Sequence, residues 1–196
     1  MTKRTKKIID FLYEIEKFKL VERRTYLSNQ KRHESDAEHE WHMAMMIWLF
    51  STVIKKKFDV FHAMKLALVH DLPEIYAGDT YRFDPKGNNT KRAREVKAAR
   101  KLFAQLPKDL DKEFWALWDE YEENKTYEAR IVHFVDGTNP GIQNMVSKAK
   151  AWKENKLDRK SVFKRRDELL QYIDSKELKD WLNSLVDEAV KKKYLI

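Results

Sequence analysis

Turn-forming residues are so scarce in this chain that its elements must be long: four glycines and four prolines are spread over 196 residues. Sandwiches and barrels of short strands need frequent turn signals, and collagen-like or low-complexity chains need biased composition, so all of these are disfavoured. Helix remains, and the apolar residues recur at its period. Ile8, Ile9, Phe11, Leu12, Ile15, Phe18 and Leu20 mark a first amphipathic helix. The apolar rhythm then vanishes between Arg23 and Glu34, an extended or looping stretch. Ser35, with Glu38 three residues on, forms a capping box that opens a second helix carrying Met43, Met46, Ile47, Phe50 and Ile54. Asp59 caps a third, whose Val60, Ala63, Met64, Ala67 and Leu68 run into His70 and Asp71, with Pro73 perturbing or restarting it. Asp79 to Thr90 holds Pro85, Gly87 and two asparagines and reads as a surface loop, a lid or rim.

Further helices are expected near 90–106, 109–122, 126–139, 141–154, 159–173 and 176–192, punctuated by Pro107, Pro140 and the caps Thr126, Asp158 and Ser175. No persuasive alternating strand, repeat or flexible linker interrupts them. The expectation is an all-α fold in one domain over 1–196, with the C-terminal helices 158–192 packing on the core.

The absence of cysteine excludes disulfides, thiolate metal sites and thiol nucleophiles, so any metal must sit on His, Asp or Glu. The basic start, Met1 to Lys7, is followed by a stretch interrupted by Asp10, Glu14, Glu16 and Lys17, which suits neither a signal peptide nor a membrane span. A soluble, cytoplasmic protein with no membrane partner is expected. Forty Lys and Arg against 32 Asp and Glu give a net charge of +8, which suits a phosphate-bearing partner. The basic runs are scattered and no nucleic-acid motif accompanies them, so a nucleic-acid partner is disfavoured.

Chemistry concentrates in four positions. His39 lies in the first turn of the second helix, and a lone histidine there is as well explained by packing, as His33, His42 and His62 are. His70 and Asp71 are adjacent and end a strongly apolar run. Burying both is costly unless they are partnered, either by each other in a hydrogen-bonded pair or by an ion off the helix flank. Asp136 sits in Ile131-Val132-His133-Phe134-Val135-Asp136-Gly137, where a carboxylate wants a cation or a dense hydrogen-bond shell unless it is a cap or faces solvent. Two imidazoles and two carboxylates on successive helices make a complete shell for a first-row divalent ion.

With Ala37-Glu38-His39, Val69-His70-Asp71-Leu72-Pro73-Glu74, Gly78-Asp79, Glu95 with Ala98, and Glu128-Ala129-Arg130 leading to Asp136, the chain resembles the HD-domain metal-dependent phosphohydrolases, and most closely their small 5'-deoxynucleotidase-like branch. The resemblance runs from about Phe11 to about Ala151. It implies a helical HD-domain bundle in which His39, His70, Asp71 and Asp136 hold one divalent ion per chain: Mn, Co, Mg, Fe, Ni or Zn. It further implies that Glu74 is a catalytic acid or base and that Asp79 sits near the sugar and the reacting water. Arg24 precedes His39 at the spacing where similar proteins hold a phosphate-binding arginine, whose planar fork matches phosphate oxygens. The expected reaction is release of the 5'-phosphate from (deoxy)nucleoside monophosphates, with water activated at the metal.

Between His70-Asp71 and Asp136 the only histidine is His133, which favours one metal over the dinuclear centres of related oxygenases and cyclic-dinucleotide phosphodiesterases. Thr25 stands where the branch commonly has tryptophan, removing a bulky wall near the sugar. Gly137-Thr138-Asn139-Pro140 replaces a Lys-Leu-Glu-like continuation, and His133 a common lysine. Relatives are often dimers, which implies a homodimer. The basic surface also fits a catalytically silent HD module that binds nucleotide or nucleic acid, which salt-sensitive, metal-independent binding would distinguish.

Overall fold

Most of the helices expected from the spacing are present in a computed structural model, which describes residues 1–195. Thr2 accepts the Thr5 backbone N–H and starts α1 (Lys3–Ile15), which tightens into a 3-10 helix at Glu16–Leu20. The stretch in which no strand was expected then forms a small antiparallel pair, β1 (Glu22–Tyr26) and β2 (His33–Ser35). Its buried face carries Thr25 and Glu34 instead of apolar side chains, so apolar alternation never appears in the sequence.

The capping box forms as expected. The Glu38 backbone N–H donates to Ser35 Oγ at 3.3 Å, the Ser35 N–H donates to Glu38 Oε2 at 2.9 Å, and α2 (Asp36–Phe50) follows. Asp59 accepts the His62 N–H at 2.9 Å and opens α3 (Val60–Val69), whose last turn delivers His70. Pro73 restarts the chain as α4 (Glu74–Ala77), which ends at Gly78 with φ 74°.

The expected loop from Asp79 to Thr90 is shorter than its composition suggested, because α5 spans Pro85–Phe103. Asp84 caps it by accepting the Lys86 N–H at 3.0 Å, and Pro85 occupies the first helical position, where a missing N–H costs nothing. The Asp-Pro pair that resembles loop punctuation is here a helix start. Helix α6 (Lys108–Glu123) ends at Asn124 in the left-handed region.

A second difference lies at Pro140. The helices expected on either side of it are one, α7 (Tyr127–Val146), with α8 (Lys150–Glu154) separate. Interior proline normally breaks a helix, by about 3 kcal/mol. Here the helix runs on through it, with side chains bonding two nearby carbonyls: Thr138 Oγ1 donates to Val135 O at 3.1 Å and Asn144 Nδ2 to Pro140 O at 2.9 Å. The break comes instead at Lys148 and Ala149, with φ of 53° and 57°. Helices α9 (Arg159–Leu169) and α10 (Lys176–Lys191) follow, capped by Asp158 and Ser175.

Helices α2, α3 and α7 pack on one another around Met43, Ile47, Leu66, Ile131 and Phe134, all fully buried. Burial of each such side chain contributes about 1.5–3 kcal/mol. Helices α9 and α10 pack against α7, and a smaller core of Trp152, Leu157, Val162, Leu185 and Val186 joins them to α8. Among the described residues no helix is long and apolar enough to cross a membrane.

Candidate metal centre

Three chain segments bring their histidines and acids to one buried point. His39, a turn into α2, is fully buried, and its Nε2 lies 3.1 Å from Asp136 Oδ1 on α7. His70, at the end of α3, sets its Nδ1 2.7 Å from Ala67 O. A carbonyl only accepts, so Nδ1 carries a proton and Nε2 is the ring nitrogen turned toward the acids. That Nε2 is buried without a hydrogen-bond partner, 3.2 Å from Asp71 Oδ2. Trp118 Nε1 donates to the His70 carbonyl at 3.1 Å, and the Tyr121 hydroxyl donates to Asp136 Oδ2 at 3.1 Å.

Ligand atoms of His39, His70 and Asp136 all lie within 4.8 Å of one another. Asp71 meets them through His70 and belongs to a second group, with Asp36 and Glu74, equally close-set. An unpartnered imidazole nitrogen among buried carboxylates is costly unless a cation fills the gap. The nitrogen and oxygen donors suit a borderline divalent metal, so the residues present fit the ion that the sequence implied.

The second group has a cation of its own. Arg23 Nη1 lies 3.0 Å from Asp36 Oδ1, 3.0 Å from Asp71 Oδ2 and 3.9 Å from Asp79 Oδ1. Lys91 Nζ lies 3.3 Å from Glu95 Oε1 and 3.8 Å from Glu74 Oε1. These two cations do not balance the acids, and the carboxyl groups divide accordingly. Burial pushes Asp36 up to about 6 and Glu95 up to about 7. Burial, reinforced by the Asp71 charge, carries Glu74 and Glu40 well above the usual range, and burial also raises Asp79. At Asp71 burial is outweighed by His70 and Arg23, and at Asp136 by the His39 hydrogen bond, so both stay ionised.

Of the residues expected from sequence, Asp71, Asp136, Glu74 and Asp79 line one cavity of about 450 Å³, and His39 and His70 reach Asp136 from outside its lining, with ligand atoms within 4.8 Å. Arg24 is exposed and lines the same cavity, while the buried Thr25 spends its hydroxyl on Glu34 Oε2 at 2.7 Å. Sequence reasoning missed Arg23, Asp36, Glu40, Lys91 and Tyr121. Reading 22–26 as a strand would have separated Arg23 from Arg24, because neighbours on a strand face opposite sides. Asp36 and Glu40 carry no signal of their own, since acids are common near helix starts.

Comparisons with known proteins converge on one description. The HD domain family profile matches residues 15–178. The 5'-deoxynucleotidase HDDC2 of Homo sapiens is 34% identical over 131 residues, covering 66% of this chain and 62% of that protein. The 5'-deoxynucleotidase YBR242W of Saccharomyces cerevisiae is 31% identical over 136 residues, covering 66% and 55%. The chain thus spans less than two thirds of the length of these curated relatives. A solved structure described as a predicted metal-dependent phosphohydrolase from Magnetospirillum magnetotacticum superposes with a TM-score of 0.91 at 36% identity, covering 98% of this chain and 95% of that one.

Proposed function

The chain belongs to the HD domain family, and we propose that it is a metal-dependent phosphohydrolase that releases the 5'-phosphate of (deoxy)nucleoside monophosphates. The observation that carries this reading is the unpartnered His70 Nε2, buried beside His39, Asp71 and Asp136. Those four residues would hold one divalent ion. Such an ion supplies Lewis acidity toward phosphate oxygens and lowers the pKa of water from about 16 toward 7.

The chain's own groups do the rest. Arg24, exposed on the cavity wall, meets the phosphate with its guanidinium fork and offsets the charge that moves onto the phosphoryl oxygens. Burial raises Glu74 well above the usual carboxylate range, which suits it to give a proton to the leaving sugar oxygen. Asp79 borders the cavity and would face the sugar. Thr25, whose hydroxyl is engaged by Glu34, contributes shape there in place of a bulky aromatic wall. A homodimer would cover exposed Trp41, Trp48, Leu49 and Phe61 on α2 and α3.

The test is phosphate release from a ribo- and deoxyribonucleotide panel with Mn, Co or Mg. Activity that vanishes with chelator and in His70→Ala supports the reading. No release from any nucleotide, or release unchanged in His70→Ala, rejects it. Metal-independent, salt-sensitive nucleic-acid binding without turnover would favour a silent module instead.

A further inference from the structure

The cavity at the metal centre does not stop at Asp136. It continues along α7 past Gly137, Pro140 and Gly141 to Asn144, about 12 Å at the helical rise. Facing it are Trp152, Leu157, Val162, Leu182, Leu185 and Val186, all buried. Five of these belong to the eight-residue C-terminal core, which is therefore built around a space. Interiors rarely keep voids larger than a water molecule, and the cost of an apolar void grows with its volume.

Where the chamber borders α7, missing side chains let its other walls close in on the helix. A Cβ at Gly137 would run into Leu169 and Arg165, and one at Gly141 would sit 3.3 Å from Leu185 Cδ2. Arg165 and Arg166 stand at the same cavity, on the turn of α9 nearest Gly137. Inside, the polar side chain at the far end is already satisfied: Asn144 Nδ2 donates to Pro140 O and Oδ1 accepts the Trp152 N–H. None of the unpartnered buried side-chain atoms belongs to this wall. A nucleobase in the chamber would bury its hydrogen-bonding edges unpaired, whereas an apolar guest fills such a space without that penalty.

We propose that the chamber holds an apolar group carried on the scissile phosphate, so that phosphomonoesters of aliphatic alcohols are a second substrate class of this site. The inference rests on the phosphomonoester reading above. Water oxygen bonds to phosphorus, the ester P–O bond breaks, and the leaving oxygen takes a proton, giving the alcohol and inorganic phosphate. The phosphate remains between the metal centre and the cleft arginines while the chain lies along α7.

The experiment compares ethyl, butyl, hexyl and octyl phosphate with dAMP on the metal-loaded protein, and melting temperature with methyl- against octylphosphonate. We expect kcat/KM to rise up to about fourfold per methylene until the chamber is full. Val162→Phe, which occupies the space, should cut the octyl-to-ethyl ratio by about tenfold or more. Should that variant fail to fold, Val162→Ala tests the same point by moving the plateau to longer chains. Turnover of dAMP with no chain-length dependence overturns the chamber proposal alone. If no substrate releases phosphate, the phosphohydrolase reading fails, and the phosphonates still judge the chamber: a larger stabilisation by the octyl ligand supports it, and equal stabilisation overturns it.

Discussion

The two halves of the buried polar centre solve the same electrostatic problem differently. On one side Asp36 and Asp71 share the Arg23 guanidinium, and burial raises Glu74 and Glu40 well above the usual carboxylate range. On the other, His39, His70 and Asp136 converge with an imidazole nitrogen left without a hydrogen-bond partner and, among the described residues, no arginine or lysine in contact. The first half is compensated from within the chain. The second, beyond the His39 and Tyr121 contacts of Asp136, is completed by an ion from solution that Asp71 shares, so it should carry the activity while the first carries stability and proton transfer.

His70→Ala should give the largest effect, because it removes the unpartnered ring nitrogen: turnover falls by about 10³-fold or more, and metal content falls with it. If metal stays bound at full occupancy, the two halves are not distinct in this way. Glu74→Gln should lower kcat by about 10²–10⁴-fold with metal content retained, since a proton donor is lost and a ligand is not. Loss of metal in that variant would blur the boundary between the halves.

Arg23→Met sharpens the comparison through stability. Arg23 is 13% exposed in its side chain, and removing it leaves Asp36, Asp71 and Asp79 facing one another, which should cost about 3–5 kcal/mol in chemical denaturation. An exposed-site change such as Arg24→Ala should instead raise KM and leave the melting temperature nearly unchanged.

The pH response of the metal-free protein follows from the raised acids. Asp36, near 6, and Glu95, near 7, hold protons more tightly folded than unfolded, where they titrate near 3.8 and 4.5. Their contribution is therefore full below about pH 4 and is lost as pH rises through about 7. Asp71 and Asp136 act oppositely, losing their contribution as pH falls below the unfolded value of 3.8. Melting temperature should fall between about pH 5 and pH 7.5, and Asp36→Asn should flatten that slope. An unchanged slope in Asp36→Asn would mean that Asp36 is not buried in its acid form. The smallest effect is expected for Tyr121→Phe, which frees Asp136 Oδ2 and should weaken metal affinity or turnover by about 10–100-fold with little change in fold.

Legibility in the sequence divides along physical lines. Helix starts at Ser35, Asp59, Thr126, Asp158 and Ser175 were readable because capping is local: one side-chain oxygen and one nearby N–H decide it. Convergence of His39, His70 and Asp136 is tertiary, and only the resemblance carried by several spaced motifs anticipated it. Arg23 was passed over for Arg24 because the strand bearing both has a polar buried face. Pro140 resembles a break because its penalty is local, whereas the packing of α7 on α2 and α3 that carries the helix through it is tertiary. The cavity beside Gly137 depends on how α9 lies against α7, which no periodicity records.

Calorimetric titration of the chelated protein with Mn, for the native chain and for His70→Ala, tests the central claim most directly. Native protein should take up one ion per chain at a site that disappears in the variant, while Arg23→Met retains it. Equal uptake by native protein and His70→Ala, or none by either, would contradict the account.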